Sequence, residues 1–127
     1  MTYAQIIKAK PALDTLKKLR LPYGKAKEVY RAAKTADEEF DFFVEEEKKL
    51  ILATASKDKD GEPVFTETGA VCFDTIGERD EYVKAHKDLE GLECAGLPEI
   101  MLTAEEIGNQ TISPETIEAL EGIVTFE

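Results

Sequence analysis

Between residues 24 and 55, apolar or small side chains recur at Val29, Ala33, Ala36, Phe40, Phe43 and Leu50. Steps of three and four residues hold them on one helical face, so the spacing predicts one long helix of about 45 Å. Glu47 alone interrupts the stripe. Upstream, Thr2-Tyr3-Ala4-Gln5 has the spacing of a capping box, and Ile6, Ile7, Leu13, Leu16 and Leu19 build a second apolar stripe. Pro11 falls inside it, and proline removes a hydrogen bond and crowds the previous turn, so a kink or a restart is expected there. The break at Leu21-Pro22-Tyr23-Gly24 is short enough to join the two helices as an antiparallel hairpin. Because the first helix is the shorter, Phe40, Phe43, Val44, Leu50 and Ile51 would stand bare on the distal half of the second. Either the C-terminal part of the chain covers them or a partner protein does, which makes these five the candidate partner-binding residues.

The pattern then shortens. Residues 56–63, Ser-Lys-Asp-Lys-Asp-Gly-Glu-Pro, form a polar turn, followed by two short strands predicted at 64–66 and 70–73. Thr75-Ile76-Gly77-Glu78 is a second capping box opening a helix to residue 90, with Ile76, Tyr82, Val83 and Leu89 expected inward and Gly91 stopping it. A strand is predicted at 97–103, marked as an edge by Pro98. Thr103 caps a single turn ended by Gly108, Ser113-Pro114 opens a short helix ended by Gly122, and 123–126 reads as a last strand. The expectation is a single α+β domain over residues 1–127, a helical hairpin at 1–55 followed by a mixed subregion at 56–127.

Composition changes this picture in two places. With 127 residues and 43% hydrophobic content there is chain enough for a core, and no run approaches the length of a membrane span. The first eight residues lack the apolar region of a signal peptide, and the two cysteines, Cys72 and Cys94, are too few for a disulfide scaffold, so reduced thiols inside a cell are expected. The net charge of −11 is unevenly spread. Residues 1–34 hold nine Lys or Arg against two acids, whereas residues 60–127 hold three against seventeen. The basic end suits an acidic partner and the acidic end a basic one, unless the two neutralise each other within the chain.

Candidate chemistry is sparse. Counting Ser56 as the first position, Asp58, Asp60, Gly61 and Glu67 fall at the third, fifth, sixth and twelfth places of a calcium loop. Serine at the first place, Pro63 at the eighth and strand-like sequence after it favour a solvated turn, so no metal is expected. His86 is the only histidine and has no nucleophile motif around it, and two cysteines with one histidine do not make a zinc set. The acidic runs at 45–47 and 105–106 read as solvated helix surface, and Gly24-Lys25 lacks the glycine and strand of a phosphate loop. No catalytic residue and no cofactor is assigned, and an enzyme is not expected. The basic residues of the hairpin, with Tyr3, Tyr23 and Tyr30, offer a surface for nucleic acid, but no recognition motif accompanies them. Nucleic acid is therefore not the expected partner; docking of the basic hairpin on the acidic half accounts for the same residues.

The segments Ile6-Ile7, Leu13-x-x-Leu16-x-x-Leu19 and Leu21-Pro22, the block from Phe40-Asp41-Phe42-Phe43-Val44 through Leu50-Ile51, and Lys57-Asp58-Lys59-Asp60-Gly61 resemble a family of small uncharacterised proteins of bacteriophage and prophage genomes. Leu102-Thr103-Ala104-Glu105-Glu106-Ile107 and Ile112-Ser113-Pro114-Glu115-Thr116-Ile117-Glu118-Ala119-Leu120 resemble its C-terminal segments. The resemblance implies a phage gene, often near tail genes, and carries no catalytic motif. Two expectations follow: a protein that binds a phage structural protein during virion or tail assembly, or a small acidic inhibitor of a host nuclease or defence complex, acting like an anti-CRISPR protein by mimicking nucleic acid. A homo-oligomer is a third arrangement. All three place the protein in the host cytoplasm, the first also with the virion, and none involves a membrane.

Overall fold

The computed structural model describes residues 1–94 and 96–127. It is an α+β fold with a helix pair at the N-terminus and a two-stranded parallel sheet at the C-terminus. In order, the elements are α1 (Tyr3–Lys17), α2 (Tyr23–Thr54), α3 (Ile76–Glu90), β1 (Ile100–Leu102), α4 (Ala104–Ile107), α5 (Pro114–Ala119) and β2 (Val124–Phe126). Contacts group the residues into two compact units, Met1–Phe40 with Glu93–Glu127, and Asp41–Leu92. The boundary thus falls inside α2 and not at residue 55, where the sequence changes character.

In the first unit, α1 begins at the predicted capping box, with Thr2 N–H donating to Gln5 Oε1 at 2.8 Å. It runs without a break through Pro11, against the expected restart, and the Thr15 hydroxyl donates to the Pro11 carbonyl at 3.1 Å. Pro11 sits on the exposed side, where its missing donor faces solvent and the buried side of the helix is untouched. Ala9 and Ala12 on α1 and Ala32, Ala33 and Ala36 on α2 are buried in one core. Ile6, Leu13, Leu16 and Val29 fill the same core.

The sheet completes it. β1 pairs in parallel with β2, Ile100 opposite Val124 and Leu102 opposite Phe126. Alternation puts Ile100 and Leu102 inside and Met101 outside. The crossover between the strands is built from short capped helices. Thr103 and Glu106 form a capping box at α4, Ser113 caps α5 with Pro114 in its first turn, and α5 packs on α1. Gly122, at φ 85°, turns the chain into β2, a backbone angle that other residues adopt only at a cost.

The second unit is built differently. The distal half of α2 leads into a polar clasp. Ser56 N–H donates to the Cys72 carbonyl at 2.9 Å, Cys72 N–H to Val64 at 3.0 Å, and Val64 N–H to Ser56 at 2.9 Å. A single antiparallel bridge, Phe65 to Val71, stands where strands were predicted at 64–66 and 70–73, and a second, Lys57 to Pro63, closes the polar turn before them. The two turns consume the residues that longer strands would need. α3 follows, where the Thr75 hydroxyl accepts from Glu78 N–H at 3.1 Å as a simple cap in place of the predicted capping box.

Candidate interaction surfaces

Among the described residues, Phe43 and Ala55 are the only buried hydrophobic side chains of the unit Asp41–Leu92. None of α3 is buried. Its half-covered face is Tyr82, Ala85, His86 and Leu89, so the expected inward position of Ile76 and Val83 is wrong: they are 78% and 54% exposed. The apolar count alone misplaced the helix because its inward face is centred on a histidine. His86 Nε2 lies 2.7 Å from Glu47 Oε2, its Nδ1 2.7 Å from Glu90 Oε1, and its ring stands edge-on to Phe43 at 5.7 Å. Carboxylates only accept, so both contacts are hydrogen bonds at once only in the doubly protonated ring.

Glu47, the interruption of the long stripe, therefore meets His86 from α2 beside Phe43. Tyr82 packs on the same imidazole at 5.4 Å and on Phe73 at 5.3 Å, and burial, then Glu47 and Glu90, raise its phenol above the ordinary value. The cluster joins α2 to α3, and among the described residues no serine, threonine or cysteine bonds to His86. The other acids of the run are spent locally, Glu45 on Lys48 and Glu46 on Lys49.

The five residues expected bare on α2 are not bare. Phe43 is 3% exposed, and Val44, Leu50 and Ile51 are half-buried. Phe40 belongs to the other unit, where it packs against the core with the Lys10 ammonium 5.2 Å from its ring centre. The chain itself supplies the cover. Exposed apolar side chains of Asp41–Leu92 lie instead at Phe42, Leu52, Phe65, Ile76, Val83 and Leu92. Spacing could have found Ile76 and Val83, seven residues apart and hence on one helical face, had His86 been counted as an inward residue.

The calcium-like loop has a different use. Asp58 Oδ1 accepts from the backbone N–H groups of Asp60 at 2.9 Å and Glu62 at 3.0 Å, closing its own turn. Among the described residues, no three His, Cys, Asp or Glu converge to hold a metal ion. Cys72 and Cys94 are free thiols, and burial pushes Cys94 up, helped by Glu39 and Glu93.

In the first unit the basic residues divide. Lys10 pairs with Asp37 at 3.3 Å, and Lys8 reaches the acidic segment at Glu118, 3.7 Å away. Among the described residues, Lys17, Lys18, Arg20, Lys27, Arg31 and Lys34 have no ion pair, so internal docking leaves the elbow of the hairpin charged. The Gln110 side chain holds that elbow, accepting from Arg20 N–H and donating to the Arg20 carbonyl at 2.8 Å. On α2, Tyr23, Lys27, Tyr30 and Lys34 follow one another by four, three and four residues and are all exposed. Elsewhere on the unit, Pro114, Ile117, Glu118, Glu121, Val124 and Phe126 line a groove of about 540 Å³.

No protein-family model matches the chain, and no curated protein and no solved structure matches it either. Among the described residues, no helix is long and apolar enough to cross a membrane.

Proposed function

We propose that the chain is a non-enzymatic bacteriophage protein that acts by protein–protein contact in virion or tail assembly, in the host cytoplasm and with the virion. The phage setting rests on the resemblance of segments within residues 6–63 and 102–120. The mode of action rests on one observation: the unit Asp41–Leu92 buries two apolar side chains and exposes six large ones. Exposed apolar surface at roughly 25 cal/mol per Å2 is a driving force for association, and it is greatest where a unit has little core of its own. The exposed face of α3, with Ile76 and Val83, is the part of that surface whose geometry suits an apolar groove on a partner.

The test is affinity capture with the tagged full chain from phage-infected and uninfected host cells, read by mass spectrometry, beside a variant carrying Ile76→Asp and Val83→Asp. A virion or tail protein captured only after infection and lost with the variant is the expected result. Capture of a host nuclease or defence subunit from both cell samples would replace assembly by inhibition. Circular dichroism of the variant checks that helix content is retained, as expected for two exposed positions.

A further inference from the structure

We infer that the unit formed by Met1–Phe40 and Glu93–Glu127 docks on a second copy of this chain, the tyrosine–lysine stripe of one copy entering the acid-rimmed groove of the other. The stripe is Tyr23, Lys27, Tyr30 and Lys34 on α2. Its rings are 82% and 56% exposed, and neither lysine has an ion pair among the described residues. Tyr23 and Tyr30 stand seven residues apart, about 10.5 Å along the helix, with Lys27 between them. Such a surface asks for a partner that is apolar and anionic at once: a floor for the rings and carboxylates for the ammoniums.

The chain carries that partner surface itself. The groove between α5 and β2 is lined by the apolar Pro114, Ile117 and Phe126, with the buried Val124 behind them, and by the exposed Glu118 and Glu121. Ile117 is 43% exposed, and Glu121 has no ion pair among the described residues. Glu118 has only the distant, exposed Lys8. A nucleic acid strand would satisfy the stripe through stacking and phosphate contacts but would leave the groove unused. A second copy satisfies both. The two patches differ, so the contact is heterologous and each copy retains one unused patch unless the assembly closes. These residues lie outside Asp41–Leu92, so the inference stands or falls separately from the proposed function.

The experiment is sedimentation of the full chain over a concentration series at low and high salt. The wild type is expected to rise in mass above the 14.1 kDa monomer with concentration, and to do so less at high salt, where exposed charges are screened. Lys27→Glu with Lys34→Glu, and separately Glu118→Lys with Glu121→Lys, are each expected to weaken association at least about tenfold. Mixing the two variants leaves one intact stripe and one intact groove, and a 1:1 complex is expected from the mixture. Tyr23→Ala with Tyr30→Ala keeps the charge and is expected to weaken association as well. A wild type that stays monomeric, association that survives either charge reversal, or a mixture that yields only monomers overturns the inference. A monomeric wild type that binds a labelled single-stranded oligonucleotide, and loses it with Lys27→Glu and Lys34→Glu, would assign the stripe to nucleic acid instead. Ile76→Asp with Val83→Asp is expected to leave self-association unchanged.

Discussion

The first half of α2 buries Val29, Ala32, Ala33 and Ala36 in a core shared with α1, β1 and β2, whereas the second half buries Phe43 and then relies on Glu47, which binds an imidazole. One continuous helix thus passes through two kinds of packing. In Met1–Phe40 with Glu93–Glu127, apolar side chains from both ends of the chain meet, and burial supplies the stabilisation. In Asp41–Leu92 the order comes from caps, from the ring of hydrogen bonds among Ser56, Val64 and Cys72, and from the His86 bracket. Directional contacts of this kind each contribute about 1 kcal/mol net, less than a well-buried leucine. A unit held that way is the one that gains most from a partner.

Phe43→Ala gives the largest expected effect and breaks the comparison most directly. Loss of the buried ring should cost about 3–5 kcal/mol. Hydrogen exchange by mass spectrometry should then lose protection across Asp41–Leu92 while the α1 amides of Leu13 and Leu16 stay protected. Equal loss in both units would show that they do not differ as described. Leu102→Ala is the converse, about 2–5 kcal/mol, with the loss expected in α1 and the sheet.

Glu47→Leu sharpens the comparison through its sign. It completes the apolar stripe of α2, so a stripe reading expects stabilisation. The structure expects a loss of about 1 kcal/mol on thermal melting, because His86 loses a partner that is itself partly exposed. The smallest effect is a pH dependence at Tyr82. Its phenol is raised in the folded chain, so the stabilisation is present below the ordinary value of 10.0 and is lost as pH rises through the folded value. Ultraviolet difference titration of the wild type against Tyr82→Phe should show the Tyr82 signal appearing above the ordinary value; a Tyr82 signal at the ordinary value would count against its packing on His86.

Local chemistry was readable along most of the chain. Thr2, Thr75, Thr103 and Ser113 cap helices where their spacing predicts, and β1 and β2 lie inside the predicted stretches. Caps and turns are settled by neighbours within four residues, which is why a pattern finds them. The pattern left two covers open for the distal stripe of α2, the chain's own C-terminal part or a partner. Whether Phe40, Phe43, Val44, Leu50 and Ile51 are covered depends on side chains far away in sequence, and Lys10 over Phe40 and His86 against Phe43 have no local signature.

The helix caps, the α+β class and the separation of positive from negative charge follow from the sequence pattern alone. Only the tertiary structure decided that α2 is shared between two units, that Glu47 and His86 belong together, and that the basic elbow remains unneutralised. Hydrogen bonds of caps and turns close over a few residues, so they are fixed by adjacent chemistry. Burial and ion pairing are set by which distant segments the chain brings into contact, and those contacts, 39 residues apart for Glu47 and His86, exist only once it has folded.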